Sequence, residues 1–302
     1  MRENDSRTGL QKVFSVDTLL LVLAALPLIC GMILKILTAE ASDDIVITGA
    51  TIFFTIPMPL MDLPITESQV NSWLVILSIF FLCLYFTRGL SEKPTNKRQL
   101  AAEWVIETTQ KLVKTNMGGH FMSFAPFIAA IIGLSAFSSL ITLLGLFPPT
   151  SDMNVIAGWA VLVFILITYY KMKCGFVHYL KSFTEPLAFF APMNIISEFA
   201  TPVSMAFRHY GNVMSGSVIA VLVASGLQGL SGIIFGWLPG KIGEFPFLQI
   251  GIPAVLSVYF DLFSSCLQAF IFAMLTMLYV SGAFAYDDWL KLQAQKKQKI
   301  KN

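Results

Sequence analysis

Arg208 is the residue whose chemistry most needs explaining. It lies in the run PVSMAFRHYGNVMSG (residues 202–216), and no other Lys or Arg stands between Lys181 and Lys241. An arginine at membrane depth costs from ~2.5–3.5 kcal/mol on insertion scales to ~10–17 kcal/mol in simulations of an isolated helix. Such a charge needs a wet cavity or a carboxylate partner. Ser204, Arg208, Asn212 and Ser215 recur at helical spacing and make one narrow polar stripe, with Gly211 and Gly216 beside it to admit a close neighbour. In a second apolar run Asp261, Ser265, Gln268 and Thr276 share a helix face, which Tyr279 continues. Asp261 reads either as the ion-pair partner of Arg208 or as an ion carrier. Gln268 either braces the arginine or packs. For Ser204, Ser265 and Thr276 the plain alternative is hydrogen bonding between helices, worth ~0.6 kcal/mol on average.

These side chains need membrane elements to hold them. The 302 residues are 56% hydrophobic and only 13% charged, with a mean hydropathy of +0.72. Soluble domains carry about 25% charged residues, so the deficit predicts an all-α polytopic membrane protein. The four cysteines (Cys30, Cys83, Cys174, Cys266) lie far apart, and the three histidines are not paired at ligand spacing. Neither set points to a metal or redox site, and no cofactor is expected. No stretch reads as a nucleotide loop, a hydrolytic triad or a nucleic-acid patch.

Hydropathy places spans at 18–38, 70–87, 121–147, 154–170, 186–237 and 246–286. The first is either a retained helix or a leader ending at Ala39-Glu40-Ala41, and its long apolar core favours the helix. It belongs to an N-terminal part (1–66), which also carries an extracytoplasmic segment; the main membrane domain is 67–302. Residues 36–87 lack Lys and Arg but hold Glu40, Asp43, Asp44, Asp62 and Glu67. Residues 100–114 predict a helix lying on the membrane surface, with Leu100, Trp104, Val105 and Leu112 on one face. Pro148-Pro149 ends the third span, and 171–181 reads as a small basic loop. Seventeen of the 20 Lys and Arg residues fall in 1–16, 88–114, 171–181 and 291–301, which this topology puts on one side. Both termini are then cytoplasmic.

The two C-terminal runs are too long for upright spans. Residues 186–237 as one helix would extend ~78 Å, more than twice the ~30 Å apolar thickness. The charge count requires an odd number of crossings, so each run is one oblique helix or one broken near 209–211. His209, next to Arg208, points ~100° away around a helix and reads as a neutral residue between helices. Glu198 falls towards the cytoplasmic side and Asp152 at the outer surface. That order suggests two water-accessible halves with a positive charge between them.

The chain resembles subunit a of F-type ATP synthases over about residues 60–286. The resemblance rests on 202–216, similar to the family's P-x-S-L-x-x-R-L-F-G-N, and on LQAFIFAMLTMLY (267–279). GLFPPTSDMN (145–154) and NSW (71–73) support it. It implies a hairpin of two long tilted helices against a rotating c-ring, in a bacterial inner membrane, with peripheral-stalk subunit b as a further partner. It also implies two offset aqueous half-channels carrying ions to and from a carboxylate on each c subunit. Arg208 then matches the arginine that attracts that carboxylate and blocks a short circuit. Asn212 and Gln268 match positions flanking it, Asp152 and Asp261 the outer half-channel, and Glu198 the inner side. Three features depart from the family: His209-Tyr210 for Leu-Phe, Ser217 where some members have Glu with Asp261 where they have His, and the added 18–38 segment. These leave the outer relay order open, as the residues leave the choice of proton or sodium. The competing expectation is a stand-alone transporter or channel with Arg208 in an anionic-substrate site. Transporters often show internal repeats, and none is visible between 1–150 and 151–302.

Overall fold

The computed structural model describes residues 2–38, 49–59, 62–92, 96–184, 188–236, 248, 251, 255–256, 258–286 and 289–290; side chains are described from residue 16 onward, omitting 177, 178, 181, 182, 188 and 261. Helix α1 (Arg2–Thr38) is followed by strands β1 (Ile52–Ile56) and β2 (Leu63–Thr66), which pair antiparallel. Then come α2 (Glu67–Thr87), α3 (Lys97–Met117), α4 (Ala125–Leu140), α5 (Met153–Lys173), α6 (Phe176–Thr184) and α7 (Ala191–Phe235). A π-helical segment, Val258–Ser264, leads into α8 (Ser265–Ala283). Among the described residues six helical stretches are long and apolar enough to cross a membrane: Val16–Thr38, Glu67–Thr87, Gly119–Leu144, Met153–Lys173, Ala191–Phe235 and Val258–Ala283. The chain is an all-α multi-pass membrane protein, with one small hairpin added.

Several boundaries differ from the sequence reading for local reasons. The third span stops before the double proline, because Gly145 takes φ +75° and its N–H closes onto Ile141 and Thr142 carbonyls. The basic segment 171–181 is helical rather than a loop: α5 runs through Lys173, Gly175 turns at φ +118°, and α6 begins at Phe176. Helix α3 divides its apolar residues between two surroundings. Leu100, Trp104 and Val105 are exposed, whereas Leu112 packs with the buried Val113 and Met117. The hairpin went unpredicted, since IFFTI sits amid Pro57, Pro59 and Pro64 in an acid-bearing stretch. The open choice between an unbroken and a broken helix resolves for α7, which runs 45 residues without interruption through Pro202. At ~1.5 Å per residue that is roughly 68 Å.

The chain divides into two compact units. One comprises Met1–Thr108, Gly133–Asp152 and Val213–Cys266; the other comprises Thr109–Ile132, Met153–Asn212 and Leu267–Asn302. In the first, Val75, Ile141 and Leu146 form a small core with Leu28 and Ile79. The second is better packed. Phe121, Phe124, Ile128, Val163, Phe272 and Met277 anchor its core, and Phe121 sets its ring 5.2 Å from that of Tyr170.

Candidate ion-translocation site

The polar stripe of α7 faces out. Ser204, Arg208, Asn212 and Ser215 are all exposed, and so is Gly211, where an added Cβ would meet nothing within 4 Å. Met205, Ala206 and His209 take the buried side of the same turns. A 3.6-residue period makes this unavoidable: once the apolar side is packed, residues four apart on the opposite side stay out together. Among the described residues Arg208 has no hydrogen-bond or ion-pair partner. One turn on, Asn212 Nδ2 donates to Gln268 Oε1 at 2.6 Å. Gly216 meets a ring, since a Cβ there would stand 3.3 Å from Phe260 Cδ1.

The polar stripe of α8 faces in, apart from its last member. Ser265, Gln268 and Thr276 are buried, whereas Tyr279 is exposed. Thr276 Oγ1 donates to the Phe272 carbonyl at 2.8 Å, and Ser265 Oγ to that of Phe260 at 3.3 Å. Asp261 falls in the π-helical segment, whose wider turn shifts the register of residues after it. Its side chain lies outside the described residues. His209 is 1% exposed and set edge-on between Trp159 and Phe272, with ring centroids 6.2 and 5.5 Å away. That is a packing position between helices.

Each unit holds a cavity with polar walls. In the better-packed unit a cavity of about 460 Å³ is lined by Lys171, Tyr179, Asn194, Glu198, Thr201 and Tyr279, among others. Lys171 Nζ pairs with Glu198 Oε2, with the Glu198 side chain only 9% exposed. On α6, burial pushes the Tyr179 phenol above its ordinary value, and the nearby Glu198 carboxylate adds to the rise. The sequence reading found Glu198 but counted Lys171 only as an orientation charge. It missed Tyr179 and Asn194 as well. Their spacing carries no signal, because three separate helices bring them to one wall.

The other unit's cavity is about 240 Å³, with Lys35, Ser139, Thr142, Ser151, Ser217 and Ser265 in its walls. Ser217 Oγ donates to the Met214 carbonyl at 2.8 Å. Asp152 stands beside the wall residue Ser151, half-buried, and accepts a hydrogen bond from Ser68 Oγ. Asn71 Nδ2 donates to the Phe147 carbonyl at 2.8 Å and so ties the start of α2 to the double-proline turn. The structure thus sets Arg208 and Asn212 on adjoining turns of α7, bonds Asn212 to Gln268 of α8, and puts Glu198 in the wall of one cavity and Ser217 in that of the other. Hydroxyls that can both donate and accept fill much of the second wall, which suits stepwise proton transfer.

Comparison with known proteins gives the family. Residues 69–281 match the family described as ATP synthase A chain. The chain is 35% identical to ATP synthase subunit a of Enterococcus hirae over 232 residues, which cover 71% of this chain and 90% of the relative. It is 32% identical to that of Priestia megaterium over 239 residues, 74% of this chain and 95% of the relative. The Legionella pneumophila (strain Paris) protein of the same name is 28% identical over 235 residues, 77% and 92% of the two chains.

Proposed function

This chain belongs to the ATP synthase A chain family, and from that premise we propose that it is the proton-translocating stator subunit of an F-type ATP synthase. The observation that carries this reading is Arg208: exposed on a membrane-spanning helix and, among the described residues, without a counter-charge. An unneutralised cation at membrane depth is costly unless a carboxylate reaches it. A ring of c subunits supplies one after another. As each carboxylate nears the guanidinium its charged form is favoured, so its proton leaves. The fixed positive charge also denies protons a direct route past the ring.

The two cavities serve as the half-channels. Along α7, wall residues of the first (Asn194, Glu198, Thr201) precede Arg208, and those of the second (Val213, Ser217, Val221) follow it. The positive-inside tendency puts the Glu198 cavity on the cytoplasmic side, with both termini, and the Ser217 cavity outside. Asn212, held by Gln268, keeps the next turn of α7 hydrogen-bonded beside the arginine. Asp152 and Asp261 belong to the outer path. Residues 1–66 add a helix and a hairpin to the membrane domain of 67–302, and subunit b joins the complex through the stator.

Purification tests the assembly: a c-ring and an ATPase head should travel with the solubilised chain. The mechanism is tested in vesicles holding the whole complex. Arg208→Ala should abolish ATP-driven proton pumping while the complex assembles at normal yield. Pumping at the parental rate would sink the mechanism.

A further inference from the structure

The β1–β2 hairpin is an element that the mechanism above leaves without a task. It lies upstream of the residues that the family match covers (69–281). Its register pairs Phe54 with Ile65, Thr55 with Pro64 and Ile56 with Leu63. Directly paired residues of antiparallel strands project to the same side, and the side alternates along each strand. Phe54, Ile56, Leu63 and Ile65 therefore make one apolar face, and Thr55 and Pro64 the other. Ile65, nearest the root, is 4% exposed, whereas Phe54, Ile56 and Leu63 are 55%, 39% and 40% exposed. A two-stranded hairpin is marginal by itself in water and needs its apolar face covered. Here three large side chains of that face stand open.

The root of the hairpin is fixed to a membrane span. β2 passes into α2 with no residue between, and the Glu67 N–H donates to the Thr51 carbonyl at 2.8 Å, so both strands are tied to the first residue of α2. Thr51 Oγ1 adds a bond to Glu67 Oε2 at 3.1 Å. The 21 residues of α2 reach ~31 Å at ~1.5 Å each, which matches the ~30 Å apolar layer of a bilayer. Glu67 then stands at a boundary of that layer, on the side away from Arg88. Leu63 is four residues further, ~13 Å at most. The composition of the segment selects the partner. From Thr51 to Thr66 the one charged residue is Asp62, and 36–87 holds no Lys or Arg. A face without cations does not draw anionic headgroups, and a face without charges lacks the groups that fix register with a protein partner. The boundary between headgroups and acyl chains takes apolar side chains with no such demand.

We propose that the hairpin is a lipid anchor: its Phe54–Ile56–Leu63 face lies on the headgroup–acyl boundary of the leaflet at that end of α2, with phospholipid as its partner. The hairpin lies along the membrane surface and fixes the depth at which α2 begins. Standing straight out, it would lift Ile56 and Leu63 into water. The proposal rests on the membrane span alone and not on the proton mechanism.

The test uses the whole complex in phosphatidylcholine vesicles, with its other cysteines replaced by serine and one nitroxide label on Ile56→Cys, Leu63→Cys or Thr55→Cys. All three positions are exposed, so the fold tolerates the label. Relaxation of the label by oxygen, which concentrates among acyl chains, is compared with relaxation by a water-soluble nickel chelate. The ratio of oxygen to nickel should be at least several-fold higher at 56 and 63 than at 55, and adding phosphatidylglycerol should leave it unchanged. Nickel reaching all three positions equally puts the hairpin in water and overturns the proposal. Exclusion of both reagents at 56 and 63 makes another subunit the occupant and overturns it too. So does an oxygen preference that arises only with phosphatidylglycerol. Normal pumping by Arg208→Ala would sink the stator mechanism and leave these depths as they are.

Discussion

Helices α7 and α8 each carry a stripe of polar residues at the same helical spacing, and the two stripes face opposite ways. On α7, Ser204, Arg208, Asn212 and Ser215 are exposed. On α8, Ser265, Gln268 and Thr276 are buried, with their hydroxyl and amide groups hydrogen-bonded. The difference teaches how a membrane protein divides polar work. Buried polar groups satisfied at home, two of them on carbonyls of their own helical stretch, let that face pack, while a polar group left exposed at depth marks a surface that expects something else. Asn212 and Gln268 join the two stripes, so one inward side chain steadies the outward one.

The comparison makes graded demands on mutants. Removing the exposed charge should cost function and leave the fold alone: Arg208→Ala should lower ATP-driven pumping by on the order of 10²-fold or more, the scale of losing one preorganised charge, with no change in complex yield. Damage on the buried side should do the reverse. Phe272→Ala opens a cavity beside His209 and Trp159, and such truncations cost ~3–5 kcal/mol. The detergent-solubilised chain should melt earlier and accumulate poorly, and a parental melting curve would break the contrast. Gln268→Leu removes the link between the stripes. It should cost about 1 kcal/mol of stability and slow pumping about tenfold, roughly the scale of one positioning contact; a double-mutant cycle with Asn212→Ala should show that the two losses are not additive. The smallest effect is spectroscopic. Glu198→Gln removes one of the two causes that raise the Tyr179 phenol, so that group should ionise at lower pH than in the parent. Alkaline ultraviolet titration, with Tyr179→Phe to identify the signal, reads it, and an unmoved titration would separate Glu198 from that wall.

Much of this was legible along the chain, because lipid imposes a simple code. Long apolar runs had to be helices, and the six spans lie close to where hydropathy put them. Arg208 stood out as a charge at depth, and its motif carried the family. Other features hid for local reasons. Gly145 ended a helix before the more conspicuous Pro148-Pro149, since a single positive-φ residue is enough to cap it. Lys171 and Lys35 looked like flanking charges, and nothing in their spacing announced Glu198 or the hydroxyl-lined cavity.

By itself the sequence determined the number of membrane-length spans, the two long C-terminal runs and the spacing of both polar stripes. These follow from local properties: the hydropathy of neighbouring side chains and the fixed period of a helix. Only the tertiary structure decided which way each stripe turned. A stripe's periodicity is the same whether it faces core or surroundings; its direction depends on what packs against the opposite side. Trp159 and Phe272 close on His209, and that packing leaves Arg208 exposed.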